Sequence, residues 1–517
     1  MQNTRGASVE EDLVLVPTPS SNVRYEEDPE IWDLIIVGAG VSGSALAHSQ
    51  GLALRRVLLL ERDLRQPDRV VGEVMQPGGL LRLKDLGLDH CLDRIDAQQI
   101  LGACMFFNGE EANLPYPIPA HAFHHGRFVQ RLRHAAAAHA NVTLRQAIVT
   151  SLLNVGGSAL GGGESVGGVL YRSPDGLQRR AMAHLTVACD GMYSNLRPKL
   201  TDRKVDVVSY VVAVTLSGIK LERRQFIQIY LAEPLFSIYA LSSSEARVMV
   251  TVSGSQRPSC TAALQDFLLS QVAPNMPRYL LEPFLLAVKE GHFRTLQTKT
   301  LAAEPQRRKG VIMLGDSLNM RHPITGGGMT MALNDTKLLK DMLVDVTGVI
   351  RQDHIAREST LRFLNRRKPL SAVMNMLANL VYKVFAEPGG ISRQLLRESA
   401  FGYLARGGWC SRGFANLLGG LDERPYMVLV HSFGVAGSGI LGFFSCFNPL
   451  TGLLKTMMML WEAIGVLWPI QLAEGGPAIF FPFWNYSNAK ICSSLEGQYS
   501  ELDHDIAARG HACLHRA

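Results

Sequence analysis

One short run, Gly315 to Asp335, combines an acidic residue, a glycine triplet and the start of a helix. Val311 to Leu314 predicts a buried strand and Met329 to Val346 a helix, so Gly326 to Gly328 form the turn between them. Because glycine lacks a Cβ, a flat ring can lie against this backbone and face the positive end of the helix dipole. Asp316 can accept hydrogen bonds from sugar or ribityl hydroxyls. An ordinary tight turn is the structural alternative.

A second stretch has the order of elements that a bound dinucleotide requires. Asp33 to Val37 predicts a strand, Gly38-Ala39-Gly40-Val41-Ser42-Gly43 follows, and Ser44 to about Leu52 predicts a helix. A further strand, Arg56 to Leu60, ends at Glu61. The sequence therefore predicts a strand, glycine turn, helix and strand that end in an acid.

Each glycine of this turn has its own role. Gly38 allows the tight turn, Gly40 lets the backbone approach a pyrophosphate, and Gly43 lets the helix pack against the strand. Glu61 stands where a carboxylate holds ribose hydroxyls. Because a carboxylate repels a 2′-phosphate, FAD or NAD fits better than NADP.

Three motifs in this order resemble those of the flavin monooxygenases of the aromatic-hydroxylase fold. They are the fingerprint at Gly38, the Asp190-Gly191 pair within Val187 to Arg197, and Gly315-Asp316. Longer stretches between about Asp33 and Phe447 resemble the squalene epoxidase family, also called squalene monooxygenases. These stretches are Glu61 to Gly79, Pro115-Tyr116-Pro117, Phe123 to Arg133 and Asn319 to Asp335.

The resemblance implies FAD as cofactor and names the residues that contact it. Arg69, Val74 and Arg127 are implied to lie against the flavin, and the fixed fork of an arginine suits phosphate and ring oxygens. Gln76, and Tyr116 in a predicted turn between two prolines, are implied to shape the reactive end. The implied FAD contacts are Gly38, Gly40, Val41, Ser42, Gly43, Glu61, Arg62, Arg69, Val74, Arg127, Asp190, Asp316, Gly327 and Met329.

The resemblance also implies the reaction, which is epoxidation of squalene to its 2,3-epoxide for sterol synthesis. The sequence shows no second fingerprint, metal set or Ser-His-Asp pattern, so the flavin is expected to carry the chemistry. Electrons would come from a separate NADPH-dependent cytochrome reductase at the endoplasmic reticulum membrane, with the catalytic domain facing the cytosol. Another FAD-dependent lipid hydroxylase, an isoprenoid reductase and a non-catalytic flavoprotein scaffold stay open as alternatives.

Composition limits the other classes of function. The chain has 517 residues, which suggests two closely knit domains, and its net charge of +6 is mild for that length. No Lys/Arg block is interleaved with aromatic residues, so nucleic acid is not expected as a partner. The eight cysteines form no CxxC pair, which predicts reduced thiols facing the cytosol. His511, Cys513 and His515 are interpreted as a disordered end, not a metal site.

The fold class expected is α/β, or α+β overall. It combines a Rossmann-type FAD-binding domain with an interleaved β-sheet substrate domain and a C-terminal helical membrane-associating region. The predicted order is a flexible leader without a membrane anchor (1–30), the first FAD-binding segment (31–201), the substrate domain (202–308), the returning FAD-binding segment (309–350), a helical region (351–425), a membrane-associating hairpin (426–490) and a tail (491–517).

Alternating runs predict the substrate sheet at Gln228 to Leu231, Ser237 to Leu241 and Arg247 to Val252. Helices are predicted near Ala262 to Val272 and Pro283 to Lys289. Two or three strands are predicted between residues 143 and 186, interrupted by a hairpin insertion at Gly156 to Gly168.

Two almost wholly apolar segments, Tyr426 to Cys446 and Leu453 to Leu472, have the length that spans a hydrocarbon core. Lys455 and Glu462 would be costly at mid-span. We therefore favour a helical hairpin that enters one leaflet of the lipid bilayer over two full spans, with a buried soluble hairpin as the alternative. Phe480 to Trp484 is predicted to add an aromatic foot.

Overall fold

The computed structural model describes residues 26–158, 165–254, 258, 260–344, 357–446 and 448–476. Its strands are β1 Glu26–Val37, β2 Val57–Glu61, β3 Val74–Met75, β4 Gln98–Phe107, β5 Glu110–Ala122, β6 Val142–Gln146, β7 Ile148–Asn154, β8 Val166–Arg172, β9 Gln178–Ala188, β10 Asp206–Ser217, β11 Phe226–Tyr230, β12 Phe236–Ala240, β13 Glu245–Ser253, β14 Phe293–Thr300 and β15 Val311–Met313. Its α-helices are α1 Val41–Leu52, α2 Pro77–Asp85, α3 His125–Ala137, α4 Arg197–Leu200, α5 Thr261–Phe267, α6 Arg278–Lys289, α7 Gly328–Val344, α8 Arg357–Val381, α9 Ile391–Ala405, α10 Gly408–Leu418, α11 Pro425–Cys446 and α12 Pro449–Ala473. The mixed α and β class is confirmed. Almost all of the predicted leader, and all of the aromatic foot and tail, lie outside the described residues.

The first sheet is parallel where it faces the site. Its order is β6-β2-β1-β9-β8-β7, with β15 beside β9, and β1, β2, β6, β9 and β15 pair in parallel. The inner strands are buried and apolar toward their carboxyl ends, as at Leu34 to Val37 and Val57 to Leu60, where helices α1, α3 and α7 cover one face. Their carboxyl ends meet at one edge, which is where open α/β sheets bind ligands.

The second sheet has the order β14-β10-β13-β12-β11-β4-β5-β3. Strands β3 to β5 precede residue 202, so the boundary predicted at 201/202 does not separate the two sheets. The reason is a long-range pairing that local patterns cannot reveal, in which β4 runs parallel to β11 with Gly102 opposite Phe226. The limits of the domains themselves stay a prediction.

The predicted turn at Tyr116 is wrong, because Pro115 and Pro117 lie inside strand β5. The register of β4 against β5 passes from Ile100 opposite Ala120 to Gly102 opposite Pro115, so residues 116–119 form a bulge without ladder partners. Proline lacks an N–H donor, and an interrupted ladder tolerates it. The bulge therefore re-aims the Tyr116 side chain while the chain stays extended.

Several predicted boundaries also shift. Helix α1 begins at Val41, ahead of Ser44, whose N–H donates to the Gly40 carbonyl at 3.0 Å. Residues 142–158 and 165–188, as far as the structure describes this region, contain four strands where two or three were predicted. Helix α6 begins at Arg278 and keeps Pro283 inside it, because its neighbour Phe284 is fully buried in the core.

Helix α12 begins four residues before the predicted position. The side chain of Asn448 accepts the Thr451 N–H at 2.8 Å, and Pro449 fits the first helical turn. These local caps end the connection to α11 within a few residues. The predicted pair of apolar helices is confirmed.

Helices α11 and α12 are long and apolar enough to cross a membrane, by length and composition. Only 28% and 22% of their most apolar windows are buried, so protein packing covers a minor part of them. The outer face carries large exposed apolar side chains. They are Phe433, Leu441, Phe444, Leu450, Leu453, Leu454, Met457, Trp461, Ile464, Trp468 and Leu472. Exposed apolar surface of this kind marks a site of contact with another protein or with a membrane.

A buried ion pair joins the two helices behind the first sheet, and it generates a prediction about stability. Arg367 of α8 donates from Nε and Nη2 to the Asp335 carboxylate of α7 at 2.9 and 3.1 Å, and both side chains are almost fully buried. Arg367→Leu should lower the free energy of unfolding by about 3–5 kcal/mol, because it leaves an uncompensated charge in the core.

Chemical denaturation measures this effect, and the exposed neighbour provides the matched control. Arg366→Leu should change the free energy of unfolding by less than about 0.5 kcal/mol. The double variant Arg367→Leu/Asp335→Leu should recover part of the loss. Equal stabilities for Arg367→Leu and Arg366→Leu would contradict the proposed contribution of the buried ion pair to the free energy of unfolding.

Candidate active site

The main cavity has a volume of about 300 Å³ and lies between the carboxyl edge of the first sheet and the second sheet. Predicted site residues that line it are Gly40, Val41, Ser42, Arg69, Val74, Gln76, Tyr116, Asp316 and Met329. The second sheet and the helices add an apolar wall, which includes Ala103, Met105, Leu114, Ile227, Ile229, Leu235, Val381, Phe385 and Leu418. One cavity thus has a glycine-rich end and a hydrocarbon-like end.

Glycines shape the first end in two ways. A Cβ on Gly43 would lie 1.9 Å from the Gly38 carbonyl oxygen, and Gly38 itself has a φ of +99° that disfavours other residues. A Cβ on Gly40 or Gly328, in contrast, would meet no atom of the described residues within 4 Å. At Gly38 and Gly43 the backbone packs closely on itself, whereas Gly40 and Gly328 leave open space for a ligand.

Glu61 is held at the rim of this turn. Its carboxylate accepts the Ala39 N–H at 2.7 Å and the Asp63 N–H at 3.2 Å. The Arg133 guanidinium lies 3.5 Å from the same carboxylate and donates to the Ala39 carbonyl at 2.9 Å. Glu61 is therefore fixed beside the glycine turn by contacts from two other elements.

Asp316 and Arg69 face each other across the cavity wall, with Oδ2 and Nη2 3.7 Å apart. Both side chains keep about a third of their surface exposed, so polar hydroxyls can reach them. Met329, in the first turn of α7, is buried and lines the same end of the cavity.

These residues fit FAD. The first turn of α1 has no side-chain cap at Gly40, which leaves its N–H groups directed at the open space. The backbone at Gly40 would contact the pyrophosphate. Glu61 would accept hydrogen bonds from the ribose hydroxyls, and Asp316 would accept them from the ribityl chain. Gly328 gives a flat ring room to lie against the backbone. The individual roles stay predictions.

Seven of the fourteen predicted FAD contacts do not line the cavity. Three of them, Gly38, Gly43 and Glu61, form or hold the glycine turn beside it, and the other four lie elsewhere. Arg62 is exposed, and Arg127 donates to the Ile95 carbonyl at 3.3 Å. Gly327 packs against Met374, whose Cε would lie 2.3 Å from an added Cβ. Asp190 turns away.

The carboxylate of Asp190 is held by the loop that follows β9. Its Oδ2 accepts the Leu196 N–H at 3.4 Å, while Oδ1 is buried without a hydrogen-bond partner. Burial raises the pKa of this carboxyl. Its chain neighbours Cys189 and Gly191 line the cavity. Asp190 therefore contributes to the site indirectly, by helping to hold the backbone of these neighbours in place.

Gln76 and Tyr116 both line the main cavity. The Gln76 Nε2 donates to the Thr325 carbonyl at 2.8 Å, which orients the amide, while its Oε1 has no hydrogen-bond partner in the part of the chain that the structure describes. The Tyr116 hydroxyl is likewise buried and has no partner among those residues. Burial raises the pKa of the phenol and the Gln76 side chain partly opposes this, so Tyr116 stays neutral and keeps a proton to donate. Two such buried polar atoms in an apolar chamber are typical of a functional site.

A buried network beside this pair was not anticipated from the sequence. The Glu73 carboxylate accepts two hydrogen bonds from Arg247, at 2.7 and 2.9 Å, and a third from the Tyr239 hydroxyl at 3.0 Å. Burial raises the pKa of Glu73, and the bidentate guanidinium opposes that effect and keeps the pair ionised. The network ties the segment that carries Val74 and Gln76 to strands β12 and β13. The sequence feature that could have indicated this network is Arg247, a charged residue inside the alternating run of β13.

A second buried network fixes the loop before the glycine triplet. The His322 Nδ1 accepts the Ile324 N–H at 3.2 Å, so its Nε2 carries the proton and donates to Ser209 at 2.8 Å. Ser209 in turn contacts Thr298, and the Tyr382 ring stacks on the imidazole at 4.3 Å. Burial lowers the pKa of His322 to about 3.

Comparison with known proteins identifies relatives over most of the chain. A family model described as squalene epoxidase matches residues 182–461. Squalene epoxidase 3 of Arabidopsis thaliana is 40% identical over 464 residues, which cover 87% of this chain and 86% of that protein. Squalene monooxygenase SE1 of Panax ginseng is 40% identical over 461 residues, with coverage of 87% and 84%.

Solved structures agree on the fold. The flavin-dependent brominase Bmp2 has a TM-score of 0.63 at 16% identity and covers 79% of this chain and 99% of its own. The p-nitrophenol 4-monooxygenase PnpA from Pseudomonas putida DLL-E4 has a TM-score of 0.60 at 18% identity, with coverage of 77% and 100%. At these identities the likeness shows the fold alone, which is that of flavin-dependent enzymes.

Gly40→Ala separates cofactor binding from folding. Gly40 has an ordinary φ of −83° and open space beside it, so alanine should leave the melting temperature of the apoprotein unchanged. The added methyl occupies the space a pyrophosphate needs, and FAD should bind about tenfold or more weakly, as flavin fluorescence titration would measure. Gly402→Ala, also with open space but in α9, is the control. Equal FAD affinity in both variants would contradict the assignment.

The pH dependence of unfolding tests His322. The pKa of His322 is about 3 in the folded chain and 6.5 in the unfolded chain. Between these two values the unfolded state therefore binds a proton that the folded state does not bind. The free energy of unfolding should therefore fall as pH decreases from 6 to 4, and His322→Asn should flatten the slope by up to about 1.4 kcal/mol per pH unit. The exposed His292→Asn is the control. Parallel curves for wild type and His322→Asn would overturn this expectation.

Proposed function

The chain belongs to the squalene epoxidase family, and from that membership we propose that it is an FAD-dependent monooxygenase that converts squalene to (S)-2,3-oxidosqualene. The observation that carries the proposal is the single cavity in which an open glycine-rich end meets an apolar wall. A flavin needs the first and a long hydrocarbon needs the second. The reaction consumes dioxygen and two electrons from NADPH, places one oxygen atom in the alkene and releases the other as water.

Bound and reduced FAD supplies the activation of dioxygen. The residues of the chain position the alkene and exclude water from it, since a wet site would divert the activated oxygen. The apolar side chains of β4, β5 and β11 do both, because they offer a hydrocarbon contact surface and give water no partners. The neutral Tyr116 hydroxyl, beside Gln76, is the group that can donate a hydrogen bond to oxygen at this point of the cavity.

The proposal extends to partners and location. The sequence carries one dinucleotide fingerprint, which FAD occupies, so the electrons would come through a separate NADPH-dependent cytochrome reductase. The exposed apolar face of α11 and α12 supports contact with membrane lipid, from which squalene would enter. We place the protein at the endoplasmic reticulum membrane, with its catalytic part on the cytosolic side, in sterol synthesis.

Product analysis tests the function. Purified protein with FAD, NADPH, a cytochrome reductase and squalene should yield oxidosqualene whose added oxygen comes from labelled dioxygen. A hydroxylated or saturated lipid in place of the epoxide would indicate a different flavoenzyme. Oxidation of NADPH without any modified lipid would contradict the proposal.

Tyr116→Phe tests the reactive end. Loss of the hydroxyl should slow epoxidation about tenfold or more, because a preorganised donor is lost from a dry site, while the FAD content stays that of the wild type. Tyr279→Phe, on helix α6 outside the cavity, should leave turnover unchanged. Equal turnover in the two variants would reduce Tyr116 to a packing residue.

A further inference from the structure

A second cavity, of about 80 Å³, lies inside the C-terminal helices. Five helices, α8 to α12, form its walls, together with the turn that continues α8. Most of its lining is aliphatic, with Leu377, Leu380, Val384, Leu396, Leu404, Leu417, Val428, Val435, Val466 and Leu467. It therefore sits directly behind the two helices whose outer face is exposed and apolar.

Most polar atoms of its wall have hydrogen-bond partners. Tyr403 and His431 share a hydrogen bond of 2.8 Å, and the Ser432 hydroxyl donates to the Val428 carbonyl at 2.8 Å. The other ring nitrogen of His431, Nε2, is buried without a hydrogen-bond partner among the described residues and lies against Gly413, where an added Cβ would be 2.6 Å away, so it is a single polar atom in an otherwise apolar wall. Because a buried water needs several polar partners, this cavity would stay dry and favour an apolar occupant.

The second cavity adjoins the main one. Val381, Phe385 and Phe414 line both, so the partition is a single layer of side chains. An occupant of the main cavity that displaced the Phe414 ring would extend into the second without crossing any backbone. The two cavities form one interrupted channel, with the glycine-rich end at one extreme and the bundle of α8 to α12 at the other.

The size of the second cavity selects what enters. A dry cavity of about 150 Å³ accepts benzene, so roughly half that volume suits a short branched end and not a whole chain. Three alanines from three different helices, Ala400, Ala436 and Ala463, leave this space open. A larger side chain at any of them would project into it.

We propose that the second cavity holds the far, branched end of the isoprenoid hydrocarbon while the opposite end reacts, and that Ala400, Ala436 and Ala463 set the length of chain accepted. This inference rests on the proposed function. The three alanines are then specificity-determining residues. The reactive end of the same binding site lies in the main cavity, between the two sheets. Shorter hydrocarbon chains, which lack the far end, would not contact these three alanines.

Equilibrium binding to the oxidised, FAD-loaded protein in detergent tests the inference without turnover. The probes are radiolabelled squalene and a linear analogue one five-carbon unit shorter. Ala463→Phe should raise the dissociation constant of squalene about tenfold or more and that of the shorter chain less than about twofold, because only squalene loses buried contacts. Ile464→Phe adds a ring to the exposed face of the same helix and should change neither.

Ala436→Leu, on α11, provides a second variant should Ala463→Phe melt at a lower temperature than wild type, and the same selective loss is expected. Loss of both chain lengths in equal measure, or wild-type binding of squalene by these variants, would overturn the inference. No binding of squalene by the wild type would overturn it as well. Failure of the proposed function would appear separately, as a wild type that binds squalene in this length-dependent way yet forms no epoxide.

Discussion

The site depends on the close approach of backbone to backbone at Gly38 and Gly43. A Cβ on Gly38 would lie 2.4 Å from the Cys189 carbonyl oxygen, and one on Gly43 would lie 1.9 Å from the Gly38 carbonyl oxygen. The Cys189 N–H also donates to the Val37 carbonyl at 2.7 Å, which locks the ends of β1 and β9 together. Only with this contact do the first turn of α1 and the Gly315 turn after β15 open onto one cavity.

The second sheet completes the chamber, and a buried ion pair holds two of its distant strands in place. The bidentate contact of Glu73 with Arg247 bridges the residue before β3 to strand β13, so Val74 and Gln76 are positioned by a charge pair that reaches across the sheet. Losing one partner of such a pair is costly, which makes it a stringent constraint on the position of β3 relative to β13. Polar ties thus surround a cavity whose own surface is largely apolar.

How much of this the sequence could predict differs by element. The strand, glycine turn, helix and acid near Gly38 were predictable because local periodicity and glycine spacing specify them, and the turn before α7 was predictable for the same reason. The strand at Tyr116 was not, since two prolines indicate a turn unless a distant register shift creates a bulge. The entry of residues 74–122 into the second sheet, and the placement of Arg127 away from the cavity, depend on long-range pairing that no local pattern records.

The central claim is that flavin and hydrocarbon share one water-poor cavity, and the visible spectrum of the bound flavin tests it most directly. Addition of squalene to the oxidised, FAD-loaded protein should displace the remaining water near the ring. The flavin absorption bands should then show a saturable change, with the same midpoint as squalene binding measured independently. Squalene that binds while those bands stay unchanged would place the two ligands in separate sites and contradict the account.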